Sequence, residues 1–155
     1  MSIDDRLAEL GIVMPETTVP VANYVTSRQT GNLLFLSGHL GKRDGAVVTG
    51  KLGEDLETDA GYDLARNAAI DLIATARAAL GTLDTVAVVK LTGFVHSAPG
   101  FTGQPGVVNG ASDLLVAVFG QERGRHARSA IGVAQLPLGA AVELEAIFEV
   151  IGAPA

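Results

Sequence analysis

The stretch RSAIGVAQLPLGAAVELEA, from Arg128 to Ala146, carries the most specific pattern in this sequence. Residues 129–136 and 142–151 have the composition and length of two strands. Pro137-Leu138-Gly139 lies between them and is typical of a turn. We therefore expect the chain to end in two strands that this turn joins as a hairpin.

The second of these strands has two different faces. Val142, Leu144, Ala146, Phe148 and Val150 fall on one side, and Glu143, Glu145, Ile147, Glu149 and Ile151 fall on the other. The second set mixes carboxylates with large apolar side chains, which is unusual for a face that a monomer leaves open to water. We expect this side of the sheet to be an interface between copies of the chain.

Three further strands are predicted upstream. Polar and apolar residues alternate from Val19 to Ser27, and Leu33 to Ser37 follows after a Gly-Asn turn, so these two segments should form a hairpin. Val86 to Val95 is a nearly unbroken apolar run, which is typical of a central strand covered on both faces.

Two helices lie between these strands. Apolar residues recur every three or four positions from Asp59 to Leu80, before Gly81, and again from Pro105 to Phe119, before Gly120. The predicted order is β-β-α-β-α-β-β. Hairpins at both ends with two one-faced helices indicate an α+β fold, in which a mixed β-sheet carries both helices on one face.

Length and composition narrow the class of protein. A chain of 155 residues that is 48% apolar predicts one domain spanning residues 1–155. A net charge of -6 opposes binding to a nucleic-acid backbone. The start of the sequence lacks a signal-like pattern, and no apolar run reaches the ~18 residues of a membrane span, so we expect a cytoplasmic protein with no membrane partner.

Metal and nucleotide-cofactor sites find little support. His39, His96 and His126 are far apart in sequence and lack the spacing of metal ligands, so no metal site is expected. The segment from Gly45 to Lys51 begins like a phosphate-binding loop, but Leu52 stands where the pattern needs a hydroxyl. We interpret that segment as a connecting loop.

Positive charge is concentrated in one place, at Arg123, Arg125, His126 and Arg128. This segment could be a solvated loop. It could equally be an anion site, because a guanidinium group presents a planar fork that matches a carboxylate.

The stretch from Arg128 to Ala146 resembles the C-terminal signature of the RidA/YjgF family, also labelled endoribonuclease L-PSP: an Arg-Ser strand, a Leu-Pro turn and a Val-Glu-x-Glu-Ala strand. Leu36-Ser-Gly-His39 is similar to the family's Ser-Gly segment, and Val107-Val-Asn109 is similar to the start of its second helix. Phe101, Gly110 to Asp113 and Gly124 to Arg128 resemble a longer subgroup of that family.

This resemblance implies a chorismate-mutase-like fold that assembles as a homotrimer, with the open sheet face inward and clefts between subunits. It also implies an enamine/imine deaminase that needs no cofactor and hydrolyses 2-aminoacrylate-like intermediates to 2-keto acids and ammonia. Arg128 would bind the substrate carboxylate, and Glu143 would position water or move a proton. Tyr24, Gly38 and Asn109 would line the same cleft.

A simple hairpin at the end of the chain would separate the two catalytic candidates. With its turn near Gly139, Glu143 would lie opposite residue 135, which leaves Arg128 about seven residues, or ~23 Å, further along the ladder. We therefore expect Arg128 and Glu143 to meet only across a subunit boundary.

Two other functions stay open. One is an endoribonuclease that acts on single-stranded RNA, which the acidic charge opposes although Arg123, Arg125 and His126 could contact a phosphate. The other is a non-catalytic protein that binds a small carboxylate. The sequence leaves the physiological substrate undetermined.

Overall fold

A computed structural model describes residues 1–17, 19–20 and 22–152 of the chain. The predicted α+β class and the order of the main elements are confirmed. The helices are α1 (Ile3–Glu9), α2 (Thr58–Leu80) and α3 (Gln104–Gly124), and the strands are β1 (Ser27–Thr30), β2 (Leu33–Leu40), β3 (Lys42–Arg43), β4 (Ala46–Val47), β5 (Val86–His96), β6 (Ala127–Val133) and β7 (Val142–Val150).

The main sheet has five strands in the order β1-β2-β7-β5-β6, and β3 and β4 form a separate small hairpin. All neighbours in the main sheet are antiparallel except β5 and β6, which run parallel. Helices α2 and α3 both pack on one face, as predicted, where they cover Leu91, Leu144 and Phe148.

The predicted C-terminal hairpin is wrong. β6 pairs with β5 and forms one edge of the sheet, whereas β7 enters between β2 and β5. The turn at Pro137–Gly139, with Leu138 at φ 58° and Gly139 at φ 70°, therefore carries the chain past the end of β5 and does not fold β7 back on β6. In β5–α3–β6, a helix connects two adjacent parallel strands, which is the usual connection for such a pair.

The first strand is also shorter than predicted. Pairing with β2 begins at Ser27, opposite Leu36, and residues 22–26 before it form no strand and bend at Ala22, Asn23 and Thr26. Val19 is 84% exposed and Val25 is 56% exposed, so their alternation does not reflect burial in this sheet. Val21, which belonged to the predicted strand, lies outside the described residues.

Both long helices begin and end near their predicted limits. Gly81 closes α2 in the left-handed region, at φ 77°, where a residue without a side chain is favoured. Gly120 interrupts the helical backbone of α3 at φ 79° and ψ 171°, and one further turn reaches Gly124. Among the described residues, no helix combines the length and apolar composition needed to cross a lipid bilayer.

Glycines allow α2 and α3 to approach closely. A Cβ atom on Gly110 would overlap the backbone carbonyl oxygen of Tyr62, so the two helices cross with almost no space between their backbones. Beside this crossing, the hydroxyl of Tyr62 donates to Asp113 at 2.9 Å. The crossing fixes the position of the helix that carries Asn109 and Ser112.

Gly110→Ala is therefore expected to destabilise the protein by about 1–3 kcal/mol, since the added methyl group meets backbone that cannot yield locally. Urea denaturation followed by circular dichroism measures this loss. Gly106→Ala is the matched control, because its Cβ would meet only Thr58 Cγ2 at 3.1 Å. Equal midpoints for the two variants would contradict the proposed close crossing.

The sheet face opposite the helices is open in the single chain. Phe35 pairs with Ile147, which pairs with Lys90, so these side chains form one row across the sheet. Phe35 is 42% exposed, and Ile131 on β6 is 44% exposed. β5 is central, as predicted, but this chain alone covers it on only one face.

Candidate functional site

Arg128 lies on the edge strand β6, with its side chain on the helix-bearing face of the sheet. It pairs with the buried Leu91 of β5, and its guanidinium group reaches α3. Nη1 donates to Asn109 Oδ1 at 2.8 Å and to Ser112 Oγ at 3.2 Å. These bonds use both hydrogens of Nη1, and Nε and Nη2 have no hydrogen-bond partner among the described residues. The outer edge of the guanidinium is thus able to bind a planar anion.

Ser112 links Arg128 to His126. His126 Nε2 lies 3.0 Å from Ser112 Oγ, and His126 Nδ1 lies 2.6 Å from the carbonyl oxygen of Gly124. Burial lowers the pKa of His126, the hydrogen bond to Gly124 opposes this effect, and the positive charge of Arg128 lowers the pKa further. At neutral pH, His126 is therefore an uncharged ring.

The contacts of Ser112 with His126 and Arg128 were not predicted from the sequence. His126 was noted only as one of several positive groups, and Ser112 only as part of a segment typical of a subgroup. The available signal was spacing: on α3, Asn109 and Ser112 are three residues apart, which places both side chains on one side of the helix. That spacing does not identify the strand that they face.

The four side chains of the basic segment, residues 123–128, make different contacts. Arg123 Nη1 donates to the backbone carbonyl oxygens of Asp84, at 2.6 Å, and Val86, at 3.3 Å, and so supports the start of β5. Arg125 is exposed. Only His126 and Arg128 join the hydrogen-bonded cluster on α3.

Glu143 and Gly38 come together on the open face of the sheet. The chain bulges between Leu36 and His39, where β2 pairs with β7, and Glu143 Oε1 occupies the space that a Cβ atom on Gly38 would fill. Only a glycine permits this contact. Burial raises the pKa of Glu143, and the negative charge of Glu145 raises it further.

The two catalytic candidates do not meet within one chain. Arg128 pairs with Leu91, and Glu143 pairs with Phe94, so two strand spacings and three residues separate them. With ~4.8 Å per spacing and ~3.3 Å per residue, their Cα atoms are roughly 14 Å apart. Arg128 also points to the helix-bearing face, whereas Glu143 points to the open face. The predicted separation therefore holds, but for a different reason from the hairpin geometry.

Tyr24 is remote from Arg128 but lies near Gly38, because the carbonyl oxygen of Val25 accepts a hydrogen bond from Ser37 Oγ at 2.6 Å. Tyr24 precedes β1, which is the edge strand opposite β6, and the two edges are four strand spacings, or ~19 Å, apart. Tyr24 is 54% exposed. The structure thus brings together Arg128 with Asn109, and Glu143 with Gly38, and it places Tyr24 on the side of Gly38.

The other two histidines are buried outside these clusters. His39 Nε2 lies 2.9 Å from Thr75 Oγ1, and Nδ1 lies 2.7 Å from the carbonyl oxygen of Ser37, so this ring joins β2 to α2. His96, at the end of β5, is 8% exposed, and neither ring nitrogen has a hydrogen-bond partner among the described residues.

Comparison with known proteins adds a family and several relatives. A family model described as endoribonuclease L-PSP matches residues 14–150. Protein TCP17 of Trypanosoma cruzi is 51% identical over 146 residues, which cover 93% of this chain and 91% of that protein.

Two solved structures are similar over nearly the whole chain. A protein of unknown function from Agrobacterium tumefaciens is 44% identical, with a TM-score of 0.87 and coverage of 96% of this chain and 92% of that one. A proposed endoribonuclease from Shewanella oneidensis is 28% identical, with a TM-score of 0.91 and coverage of 96% and 99%.

Proposed function

Because this chain belongs to the endoribonuclease L-PSP family, also called RidA/YjgF, we propose that it hydrolyses small enamines and imines that carry a carboxylate. The products are a 2-keto acid and ammonia. The observation that carries this proposal is Arg128, whose Nη1 is held by Asn109 and Ser112 while the edge formed by Nε and Nη2 points away from both partners. That edge has the geometry to bind a carboxylate with two hydrogen bonds.

The reaction needs few protein groups. An enamine first takes a proton on carbon and becomes an iminium ion. Water then adds to the iminium carbon, and a proton moves from the added water to nitrogen. The carbon–nitrogen bond breaks to release ammonia as the remaining hydroxyl loses its proton and becomes the keto group. Arg128 holds the substrate by its carboxylate, and Glu143, whose pKa is raised by burial, can accept and return protons.

A second copy of the chain would complete this site. Arg128 and Glu143 lie on opposite faces of one sheet, and Tyr24 lies on the side of Gly38, so one protomer does not bring all three side chains around a substrate. The open face carries half-exposed Phe35 and Ile131, which a neighbouring subunit would bury. We infer a homotrimer in which Arg128 of one subunit faces Glu143 of the next.

A coupled assay tests the activity. An amino-acid dehydratase or oxidase generates the enamine or imine in the cuvette, and the release of keto acid and of ammonia is followed with and without the purified protein. The protein is expected to accelerate release of both products equally. No acceleration with intermediates from either type of enzyme would contradict the proposed deaminase.

Mixing two inactive variants tests whether the site is shared. Arg128→Ala and Glu143→Gln subunits are denatured together at equal amounts and refolded into mixed assemblies. If each site takes Arg128 from one subunit and Glu143 from another, one half times one half, or roughly a quarter, of the sites carry both native residues. About a quarter of wild-type activity is therefore expected, and mixtures as inactive as the separate variants would place both residues in one subunit.

RNA cleavage is the alternative that the family description and the Shewanella oneidensis relative name. The acidic chain opposes it, since binding to an RNA backbone relies on several positive side chains. Incubation of single-stranded RNA with protein purified free of contaminating nuclease distinguishes the two. Cleavage that disappears in His126→Ala, without any deamination, would replace the proposed function.

A further inference from the structure

The hydrogen bonds around His126 fix the position of every hydrogen in the cluster. The carbonyl oxygen of Gly124 can only accept, so His126 Nδ1 carries a hydrogen. In the uncharged ring, Nε2 is then an acceptor, and the hydroxyl of Ser112 must donate to it. The oxygen of Ser112 consequently offers a lone pair to Nη1 of Arg128.

This arrangement orients Arg128 from two sides. Asn109 and Ser112 hold the two hydrogens of Nη1, and the hydroxyl of Ser112 is itself held by His126, whose ring is fixed by the backbone at Gly124. A guanidinium fixed through one nitrogen loses less freedom when it binds an anion through the other two. Ser112 and His126 therefore act on the ligand through Arg128.

Protonation of His126 changes this network in a defined way. Nε2 then becomes a donor to the oxygen of Ser112, so the hydrogen of the Ser112 hydroxyl is released from His126. The added positive charge attracts a carboxylate bound at the edge of Arg128.

The surroundings of His126 contain few other charges. Arg128 faces it from β6, and Ser112, which is uncharged, faces it from α3. Asp113, the next residue on α3, is engaged by the hydroxyl of Tyr62 from α2. Lys90 of β5 donates from Nζ to Ser129 at 3.3 Å, and Arg125 is exposed to solvent. Arg128 is thus the charge that responds most directly to the state of His126.

We propose that Ser112 and His126 are positioning residues of the Arg128 site and that carboxylate binding is coupled to protonation of His126. This inference rests on the proposed function, because it takes Arg128 as the group that binds the substrate carboxylate. Coupling is reciprocal, so protonation of His126 strengthens binding, and a bound carboxylate raises the pKa of His126.

Titration by nuclear magnetic resonance tests the coupling without any assay of activity. Pyruvate serves as the probe, since it is a small 2-keto acid, and the imidazole signals of the native protein are followed from pH 5 to 8 with and without saturating pyruvate. The pKa of His126 is expected to rise on binding. The signal lost in His126→Gln assigns His126.

Binding affinities of the variants complete the test. Native protein is expected to bind pyruvate roughly five-fold or more tightly at pH 5.5 than at pH 7.5. His126→Gln keeps an acceptor for Ser112 but cannot take up the proton, so its binding should lose that increase at pH 5.5. Ser112→Ala should weaken binding at both values, and Ser112→Thr, which keeps the hydroxyl, should restore it.

The outcomes separate the two proposals. If pyruvate binds and Arg128→Ala abolishes binding, but the His126 pKa is unchanged and His126→Gln keeps the pH dependence, the coupling is refuted while the carboxylate site stands. If pyruvate binding is absent at every pH, or is unaffected by Arg128→Ala, the coupling and the proposed role of Arg128 both fail.

Discussion

Arg128→Ala is expected to lower kcat/KM for enamine and imine hydrolysis by roughly 30- to 5,000-fold, because loss of one partner of a charge pair in a binding site costs about 2–5 kcal/mol. The side chain that disappears supplies the fork that would hold the substrate carboxylate. The remaining partners, Asn109 and Ser112, lie near the surface and can turn to water. The coupled dehydratase assay gives the rate, and thermal unfolding followed by circular dichroism should show little change.

Two further variants make this result specific. Arg128→Lys keeps the charge but loses the planar fork, so its rate should fall between those of the native protein and Arg128→Ala. Arg125→Ala removes the same charge three residues away, from a side chain that is exposed, and should leave the rate unchanged. Equal losses in Arg125→Ala and Arg128→Ala would point to a general effect of charge and would contradict a carboxylate site at Arg128.

The helices of this protein could be predicted from sequence because their signal is local. In α2, apolar residues such as Leu64, Leu72 and Ile73 recur at helical spacing, and these side chains are completely buried. Gly81 marks the end by a conformation that its lack of a side chain permits. The residues of the helix itself and the glycine after it were therefore enough to predict α2.

The partner of β6 could not be predicted in this way. Alternation predicts a strand, but it does not say which strand lies beside it, and Pro137-Leu138-Gly139 suits a hairpin as well as the observed passage to the other side of β5. A stronger signal was present in the order of elements. A strand, a long helix and another strand, as in β5–α3–β6, favour parallel neighbours joined by a crossover.

For the candidate site, the residues could be predicted from the sequence, but their arrangement in three dimensions could not. The resemblance of the C-terminal stretch pointed to Arg128 and Asn109, which do contact each other, and to Gly38 and Glu143, which also contact each other. Residue identities did not reveal that these pairs lie on opposite faces of one sheet. Ser112 was missed because its contact with His126 depends on how α3 lies against β6.

At Glu143, we expect loss of the charge to lower the activity of the protein and to keep or raise its stability. Burial and Glu145 raise the pKa of Glu143 above its ordinary value of 4.5 in the folded protein. Between the pKa of the unfolded chain and the raised value, the folded protein binds more protons than the unfolded chain. Stability therefore falls as pH rises through this window, and the ionised carboxylate remains a cost at neutral pH.

Glu143→Gln removes that charge with almost no change of shape. We expect it to lower the rate of deamination by about 10²–10⁴-fold, the usual contribution of a general acid or base, and to make the protein at least as stable as the native form at pH 7. In the native protein, kcat/KM should rise with pH as Glu143 ionises, at a pKa above 4.5, if it acts as the base. The variant should lose that step in the pH profile.

Glu145→Gln is the matched control, since it removes an equal charge from an exposed position two residues away on the same face. It should keep the native rate near neutral pH, and it should shift the pH profile toward lower pH, because loss of its charge lowers the pKa of Glu143. A Glu143→Gln variant that is less stable than the native protein at pH 7 but fully active would show that this carboxylate supports the fold and takes no part in moving protons.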